Sequence, residues 1–209
     1  LALREDLDAL LEEGLAPRFL EEAASAPLPI PGDPVRAFGI LDRIDGGEAG
    51  RFRVVDYKFT LSVSPRRLTG RFDRPAVRGE RLQPPIYILL ARARLGEGAR
   101  GTSTFFVLAP RAPDPFERLE GLEAGFWESP AGAECGRTLR AILDGIRGGG
   151  FPITPGEDAG GPCGNCDFGA VCRKGHYPSR WRASRSAAAR AMDAIASKDV
   201  TGRVGERKR

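Results

Sequence analysis

The fold is decided by two neighbouring stretches of the chain, Phe38-Gly-Ile-Leu-Asp-Arg-Ile-Asp45 and Arg51-Phe-Arg-Val-Val-Asp-Tyr-Lys58. The first alternates between apolar and polar residues, and the second is rich in β-branched and aromatic residues, as is typical of strands. We therefore predict strands over Val35–Ile44 and Arg51–Tyr57. The turn-forming residues 46–50 lie between them, so the two strands form a β-hairpin.

The hairpin carries three side chains that can build a metal site. Asp56 and Lys58 are two positions apart, so they point to the same face of their strand. Asp42, on the neighbouring strand, can come beside them. Two carboxylates suit Mg²⁺ or Mn²⁺, which take oxygen ligands and keep several waters. A water bound to such an ion becomes a usable nucleophile, and a nearby lysine can stabilise charge on a phosphate.

The alternative interpretation of these three residues is a salt bridge on an exposed hairpin. Val54 and Val55 precede Asp56 and are apolar, which indicates a strand that is buried up to the carboxylate. Charged residues at the end of a buried strand lie at a sheet edge, where sites often occur. This context favours the metal site.

Periodicity and breaker residues predict the remaining elements. The predictions, in chain order, are a helix from Leu1 to about Leu20, a linker over Ala26–Pro34, a loop over 59–80, a helix from Pro84 to about Leu95, a strand over Thr102–Leu108, an irregular stretch or short strand within 110–133, a helix from Glu134 to about Ile146, a helix over Ser184–Ala196 and disorder over Thr201–Arg209.

Composition limits the classes of protein. The chain has 209 residues, of which 41% are hydrophobic and 29% charged, a balance that excludes disorder throughout. No apolar run approaches the roughly 18 residues of a membrane span, so we expect no membrane partner. The chain begins at Leu1 without a signal-peptide pattern, so we expect a cytoplasmic location and a piece of a longer protein.

From Arg173 onward there are 11 Lys or Arg and 3 Asp or Glu, so the basic charge of the chain belongs to this end. A basic end suits phosphate-rich partners.

Four cysteines point to a second metal centre. Cys163, Cys166 and Cys172 fall within ten residues, and such spacing in a chain without a secretion signal indicates metal binding rather than disulfides. Three thiolates can wrap a soft metal centre. His176 could complete a tetrahedral Cys₃His zinc site, although a surface histidine is the simpler interpretation. Cys135 lies apart, in a predicted helix.

The hairpin residues, followed by Leu82-Gln-Pro-Pro-Ile-Tyr87, resemble the PD-(D/E)XK nuclease superfamily, and more narrowly the RecB-like nuclease domains of RecB and AddB. The resemblance implies a restriction-endonuclease-like α/β core, a small mixed sheet flanked by helices. It implies metal ligation by Asp42 and Asp56 and catalysis by Lys58. Gln83 and Tyr87 would line the active site and contact DNA, although Gln83 could cap a helix and Tyr87 could be ordinary core.

The cysteine spacing is similar to that of AddB-type domains, in which a [4Fe–4S] cluster ties the ends of the nuclease domain together. The resemblance implies four Cys ligands, and no cysteine precedes residue 135 here. We therefore expect the fourth ligand to lie outside this chain rather than at Cys135, and the three sulfurs to face a common point. The family's upstream His or Glu metal ligand is also missing. Glu5, Glu12 and Glu13 on the first helix are candidates to replace it, and nothing in the sequence selects one of them.

The sequence thus predicts three segments: an N-terminal helix and linker over 1–30, a nuclease core with the cysteines over 31–173, and a basic, partly disordered tail over 174–209. The expected function is Mg²⁺- or Mn²⁺-dependent DNA hydrolysis, most simply exonucleolytic, beside a helicase in recombination and double-strand break repair. Arginines of the 59–81 loop would contact phosphates without reading sequence: Arg66, Arg67, Arg71, Arg74, Arg78 and Arg81. The rival hypothesis is a non-catalytic DNA-binding or structural module of a repair complex.

Overall fold

The computed structural model describes residues 2–30, 32–61, 72–111, 116–150, 163, 166–168, 171–172 and 175–199. Within them the helices are α1 (Ala2–Glu12), α2 (Asp73–Val77), α3 (Gln83–Leu95), α4 (Pro130–Arg147), α5 (Tyr177–Arg185) and α6 (Ala187–Ala196). The strands are β1 (Leu15–Pro27), β2 (Arg36–Gly47), β3 (Arg51–Phe59), β4 (Arg100–Leu108), β5 (Phe116–Arg118) and β6 (Leu122–Glu123).

The strands form one mixed sheet in the order β1-β2-β3-β4-β5, and β6 also pairs with β4. Only the central β3–β4 pair among these strands is parallel, and α3 lies in the crossover between its two members. A mixed sheet flanked by helices is the predicted α/β architecture, and it is consistent with a restriction-endonuclease-like core. No described helix is long and apolar enough to cross a membrane.

The two faces of the sheet have different covers. The main hydrophobic core lies between the sheet and α3 and α4, and its fully buried members include Ile44, Val54 and Leu90. Side chains alternate along β3, so Arg53, Val55 and Tyr57 point to the opposite face, where Arg53 is paired with Asp6 of α1. We call these the core face and the α1 face.

The prediction of a helix up to Leu20, followed by a linker from Ala26, is wrong. The helix ends at Glu12, Gly14 adopts a positive φ of 67°, and β1 then pairs with β2 from Leu15↔Gly47 to Pro27↔Arg36. β1 is an edge strand bonded to β2 alone, so Pro17 and Pro27 are tolerated, and the register shifts next to Pro17. Long-range pairing therefore outweighs the helical spacing of the N-terminal leucines.

Other elements differ from prediction in their bounds. α4 begins four residues before Glu134, because Ser129 caps it by accepting the Gly132 N–H at 3.2 Å and Pro130 fits the first turn. The single helix predicted over 184–196 is broken at Ser186, whose hydroxyl accepts the Ala189 N–H at 3.1 Å and so starts α6. The predicted loop contains α2, and the disorder predicted over 201–209 lies outside the described residues.

Candidate active site

The predicted hairpin is confirmed, and it places Asp42 beside β3. β2 and β3 pair antiparallel from Arg43↔Val55 to Gly46↔Phe52. Asp42 lies one residue beyond this ladder, and its Oδ2 accepts the backbone N–H of Tyr57 at 2.9 Å. The carboxylate thus replaces a strand partner where the ladder ends, next to the peptide that joins Asp56 to Tyr57.

A local change in β2 accompanies this position. Leu41 and Ile44 are both fully buried in the main core although they are three residues apart, so the alternation of faces is broken between them. On β1, Glu21 lies opposite Asp42 between the pairs Leu20↔Arg43 and Glu22↔Leu41, and it has a left-handed φ of 50°. Both strands are therefore distorted at the level of Asp42.

Asp56 and Lys58 form the centre of the site. The Lys58 Nζ lies 2.6 Å from Asp56 Oδ2. The Asp56 side chain is 5% exposed and that of Lys58 is 28% exposed, so the ammonium faces solvent while the carboxylate is enclosed. Lys58 also lies over the Phe105 ring, 4.9 Å from its centroid, which fixes the stem of the side chain.

Helix α3 adds Gln83 and Tyr87 to the same cluster. Gln83 Oε1 accepts from Lys58 Nζ at 2.9 Å, and Gln83 Nε2 donates toward Asp56 Oδ1 at 3.4 Å. The Tyr87 hydroxyl donates to Asp56 Oδ1 at 3.3 Å and accepts from Gln83 Nε2 at 3.2 Å. Gln83 and Tyr87 are one helical turn apart, so they share a face of α3. The structure brings all five predicted residues together.

The surroundings raise the pKa values of both Asp56 and Tyr87. Burial raises the pKa of Asp56, the hydrogen bond and charge of Lys58 oppose this rise, and the negative charge of Asp42 adds to it. Burial and the charge of Asp56 raise the pKa of Tyr87 to about 12. Tyr87 is therefore a neutral phenol that can donate a hydrogen bond at any physiological pH.

The two carboxylates fit a hard divalent cation. Asp56 Oδ2 is buried and Lys58 Nζ, at 2.6 Å, is the partner that the structure gives it, so this carboxylate oxygen keeps a lone pair for a further ligand. Mg²⁺ in proteins is held by one or two carboxylates, with waters and phosphates completing the octahedron. Among the described residues, no group of three or more His, Cys, Asp or Glu side chains could hold a metal. The donor set is thus that of an open, water-rich site.

A cleft of about 350 Å³ opens beside the cluster, between the end of β3 and the segment that joins α2 to α3. Lys58, Gln83, Arg81 and Phe105 line it. Of the arginines predicted to contact phosphate, Arg81 alone among those described lines this cleft, Arg74 is exposed on α2, and Arg78 donates to the Lys198 carbonyl at 2.8 Å. The predicted contacts of Arg66, Arg67 and Arg71 lie outside the described residues.

The expectation that the three clustered sulfurs face a common point is not met. Cys163 and Cys172 are half-buried and Cys166 is exposed, and together they form no metal-holding group. The described apolar side chains between them, Phe168 and Val171, are 71% and 74% exposed, so hydrophobic burial does not draw the segment together. Bonds to a metal could supply that convergence.

Two other residues weighed as metal ligands have different roles. His176 is exposed at the start of α5, and its Nδ1 lies 2.8 Å from the Ser179 hydroxyl. Cys135 is fully buried within α4, and burial raises the pKa of its thiol to about 12. Cys135 is therefore a packed core residue, in line with the expectation that it is not the fourth cluster ligand.

Of the three glutamates considered as a third ligand, Glu13 is engaged away from the site. The Glu13 carboxylate is paired with Arg53 at 3.2 Å and Arg118 at 3.3 Å, on the α1 face. Glu12 is exposed, and the side chain of Glu5 lies outside the description.

Sequence reasoning missed the buried charges behind the hairpin. Arg43, Asp45 and Arg53 are at most 4% exposed, and Tyr57 donates its backbone N–H to Asp42. Charged residues two apart on strands that are otherwise apolar are a signal that could have identified this network.

Comparison with known proteins agrees with the predicted superfamily and with an α/β fold of this type. A sequence model described as the PD-(D/E)XK nuclease superfamily matches residues 2–173, which is well over half of the chain. The crystal structure of SSO0001 is similar over 82% of this chain and 67% of its own, with 15% sequence identity and a TM-score of 0.40, values too low to bear on function. No curated protein sequence matches at a significant level. The extent of the superfamily match leaves one conclusion: the chain belongs to the PD-(D/E)XK nuclease superfamily.

Proposed function

We propose that this chain hydrolyses DNA phosphodiester bonds with Mg²⁺ or Mn²⁺. The observation that carries the proposal is the hydrogen-bonded cluster of an enclosed carboxylate, a partly exposed lysine and the α3 pair, in which Lys58 and Gln83 line the cleft. Membership of a nuclease superfamily supports the reaction class. DNA is the expected substrate because the resemblance to RecB-like domains extends to all five motif residues.

Each residue of the site has a role in this reaction. Asp42 and Asp56 would hold the cation, which when bound supplies a water of lowered pKa and neutralises charge on the phosphate. Lys58 is held by Asp56 and by Gln83 Oε1, so its Nζ is fixed where it can orient the attacking water or stabilise the developing charge. Tyr87 donates to Asp56 Oδ1 and so fixes the orientation of that carboxylate.

The test is cleavage of end-labelled single- and double-stranded DNA of arbitrary sequence by the 209-residue chain, with Mg²⁺, with Mn²⁺ and with EDTA. We expect cleavage that requires the metal and is abolished by Asp56→Ala. Binding of the same DNA in EDTA should be unchanged or stronger in Asp56→Ala, because a negative charge next to phosphate is removed. Asp8→Asn, on the exposed side of α1, is the matched control and should cleave like the wild type.

The rival proposal is a non-catalytic DNA-binding module, and one observation favours it. The described residues supply two carboxylates to the site and no third ligand group. DNA binding without cleavage in either metal would select this proposal for the chain. Cleavage that is lost in Asp56→Ala would exclude it.

We propose further that the activity is exonucleolytic and serves a helicase in recombination and double-strand break repair. The support is the resemblance to the nuclease domains of RecB and AddB, which implies strand degradation coupled to unwinding. Covalently closed circular DNA and linear DNA of equal length separate the possibilities. An exonuclease degrades the linear form and leaves the closed circle intact.

We also propose that Cys163, Cys166 and Cys172 bind a [4Fe–4S] cluster, with a fourth ligand from outside this chain. The support is the spacing of the cysteines and its similarity to AddB-type domains. Iron analysis and visible absorbance of protein purified without oxygen test it: about four irons are expected for such a cluster, and Cys166→Ala should remove them. A colourless protein with one tightly held zinc would instead support ligation by the cysteines with His176.

A further inference from the structure

A network of charges, four of them buried, lies directly behind the candidate site, on the α1 face of the sheet. It contains three arginines, three carboxylates and one tyrosine, contributed by α1, the α1–β1 turn, β2, β3 and β5: Asp6, Glu13, Arg43, Asp45, Arg53, Tyr57 and Arg118. The numbers of positive and negative groups are equal. Such a network is costly to bury, so its contacts need a structural or functional reason.

Arg43 is at the centre of the network. Its Nη2 donates to Asp6 Oδ2 at 2.5 Å, its Nε lies 2.9 Å from Asp45 Oδ1, and its Nη1 donates to the Tyr57 hydroxyl at 2.7 Å. The side chain is 3% exposed. A planar guanidinium can serve three acceptors in fixed directions, which a lysine ammonium on its flexible stem cannot do in the same geometry.

Tyr57 connects this network to the candidate metal site. Its hydroxyl accepts from Arg43, and its backbone N–H donates to Asp42 Oδ2 at 2.9 Å. In the chain, Tyr57 stands between Asp56 and Lys58, and Arg43 follows Asp42. The same two residues therefore join the strands on the α1 face and carry the site residues as their neighbours in sequence.

The end of the hairpin ladder explains why such a connection is needed. The β2–β3 pairs stop at Arg43↔Val55, so ladder hydrogen bonds do not align the two strands at Asp42. Two contacts join the strands at this level: Arg43 to the Tyr57 hydroxyl, and the Tyr57 amide to Asp42. β3 stays paired with β4 at Tyr57↔Phe106, so loss of the Arg43 contact removes one of the two ties between β2 and β3 and leaves the Tyr57 amide as the other.

We propose that Arg43 and Tyr57 are positioning residues, which hold the carboxylate of Asp42 at the correct separation from Asp56 for both to bind one divalent cation. This inference rests on the proposed metal-dependent function. On this proposal, contacts on the α1 face determine the separation of the Asp42 and Asp56 carboxylates. Residues that orient metal ligands in this indirect way commonly change metal affinity by about 10- to 100-fold when they are replaced.

The test uses the 209-residue chain and Mn²⁺ alone as the probe. Isothermal titration calorimetry gives the Kd for Mn²⁺, and hydrogen exchange of the Tyr57 amide reports directly on its bond to Asp42. For Arg43→Lys and Tyr57→Phe we expect a Kd about tenfold higher and amide exchange roughly tenfold faster. Tyr57→Phe removes a single hydroxyl, so it carries the test if Arg43→Lys does not fold.

Arg118→Lys is the matched control. Arg118 belongs to the same network, 3.6 Å from Asp6 and 3.3 Å from Glu13, but its side chain is 34% exposed and the structure gives it no contact with Arg43 or Tyr57. This variant should keep the wild-type Kd and the wild-type exchange rate at Tyr57. An equal effect of Arg118→Lys and Arg43→Lys would show that the network acts on stability alone and would overturn the proposal.

Two results overturn the inference and leave the proposed function intact: wild-type Mn²⁺ affinity in Tyr57→Phe, or an unchanged exchange rate at the Tyr57 amide in that variant. Failure of the wild type to bind Mn²⁺ or to cleave DNA would instead overturn the proposed function and the metal-positioning role together. The exchange rate would then decide separately whether Tyr57 still depends on Arg43.

Discussion

At the scale of single residues, Lys58 has the most constrained surroundings of the candidate site. Its ammonium meets Asp56 at 2.6 Å and Gln83 Oε1 at 2.9 Å above the Phe105 ring. A guanidinium is wider and planar and keeps its proton, so it cannot occupy this position and also reach a water. Lys58→Arg should therefore lower single-turnover cleavage at saturating Mg²⁺ by about 100-fold or more. The thermal midpoint of Lys58→Arg should stay near that of the wild type. Near-wild-type cleavage by this variant would show that Lys58 only forms a salt bridge.

At the scale of elements, α1 supplies the negative charge that covers the back of the sheet. Asp6 lies within 3.7 Å of Arg43, Arg53 and Arg118 and its side chain is 4% exposed. Asp6→Asn leaves buried arginines without a full countercharge, a change that costs about 3–5 kcal/mol in comparable pairs. Urea unfolding should show a loss of this order for Asp6→Asn and almost none for Asp8→Asn, which lies exposed on the same helix. Equal stability of the two variants would contradict this account of α1.

The elements also show how far sequence reasoning reaches. The β2–β3 hairpin and α3 could be predicted because local alternation, turn residues and an N-terminal Pro pair specify them. β1 could not be predicted, since the helical spacing of the leucines continues to Leu15 and the residues after it become a strand only by pairing with β2. The convergence of Asp42, Asp56 and Lys58 was predictable from strand periodicity, whereas the partners of Tyr57 and Arg43 depend on α1 and on the end of the ladder.

At the scale of the whole molecule, Lys198 adds polar contacts to the C-terminal end of the described chain, where Ala189 and Ile195 of α6 are buried. Lys198 Nζ pairs with Glu134 of α4 at 2.5 Å, and its carbonyl accepts from Arg78 at 2.8 Å, next to the segment that lines the cleft. Although burial works against it, hydrogen bonds from Lys198 and Arg137 lower the pKa of Glu134 below its ordinary value. A carboxylate with a lowered pKa stabilises the fold above its unfolded pKa, and this stabilisation is lost as the pH falls through the folded value.

We therefore expect Glu134→Gln to be less stable than the wild type at pH 7 and the difference to shrink as the pH falls below about 4.5, the ordinary pKa of the group. Unfolding in guanidinium chloride at pH 7 and at lower pH measures the difference in free energy of unfolding between this variant and the wild type. Asp144 on the same helix forms an exposed pair with Arg140, so Asp144→Asn is the matched control and should change stability little at either pH. If Glu134→Gln were destabilised equally at pH 7 and in acid, the negative charge of Glu134 would not be what stabilises its contact with Lys198.

The tight hairpin and the long crossover give the candidate site a predicted order of assembly during folding. Asp42, Asp56 and Lys58 lie on strands joined by the short turn Glu48–Gly50, so their approach closes a small loop early. Gln83 and Tyr87 arrive only when the β3–α3–β4 crossover docks, and Lys198 joins α4 from more than sixty residues away. Substitutions in the hairpin turn should then slow refolding, whereas Lys198→Met should chiefly speed unfolding. The carboxylates and the lysine would accordingly be neighbours in the transition state, before the helix that encloses them is in place.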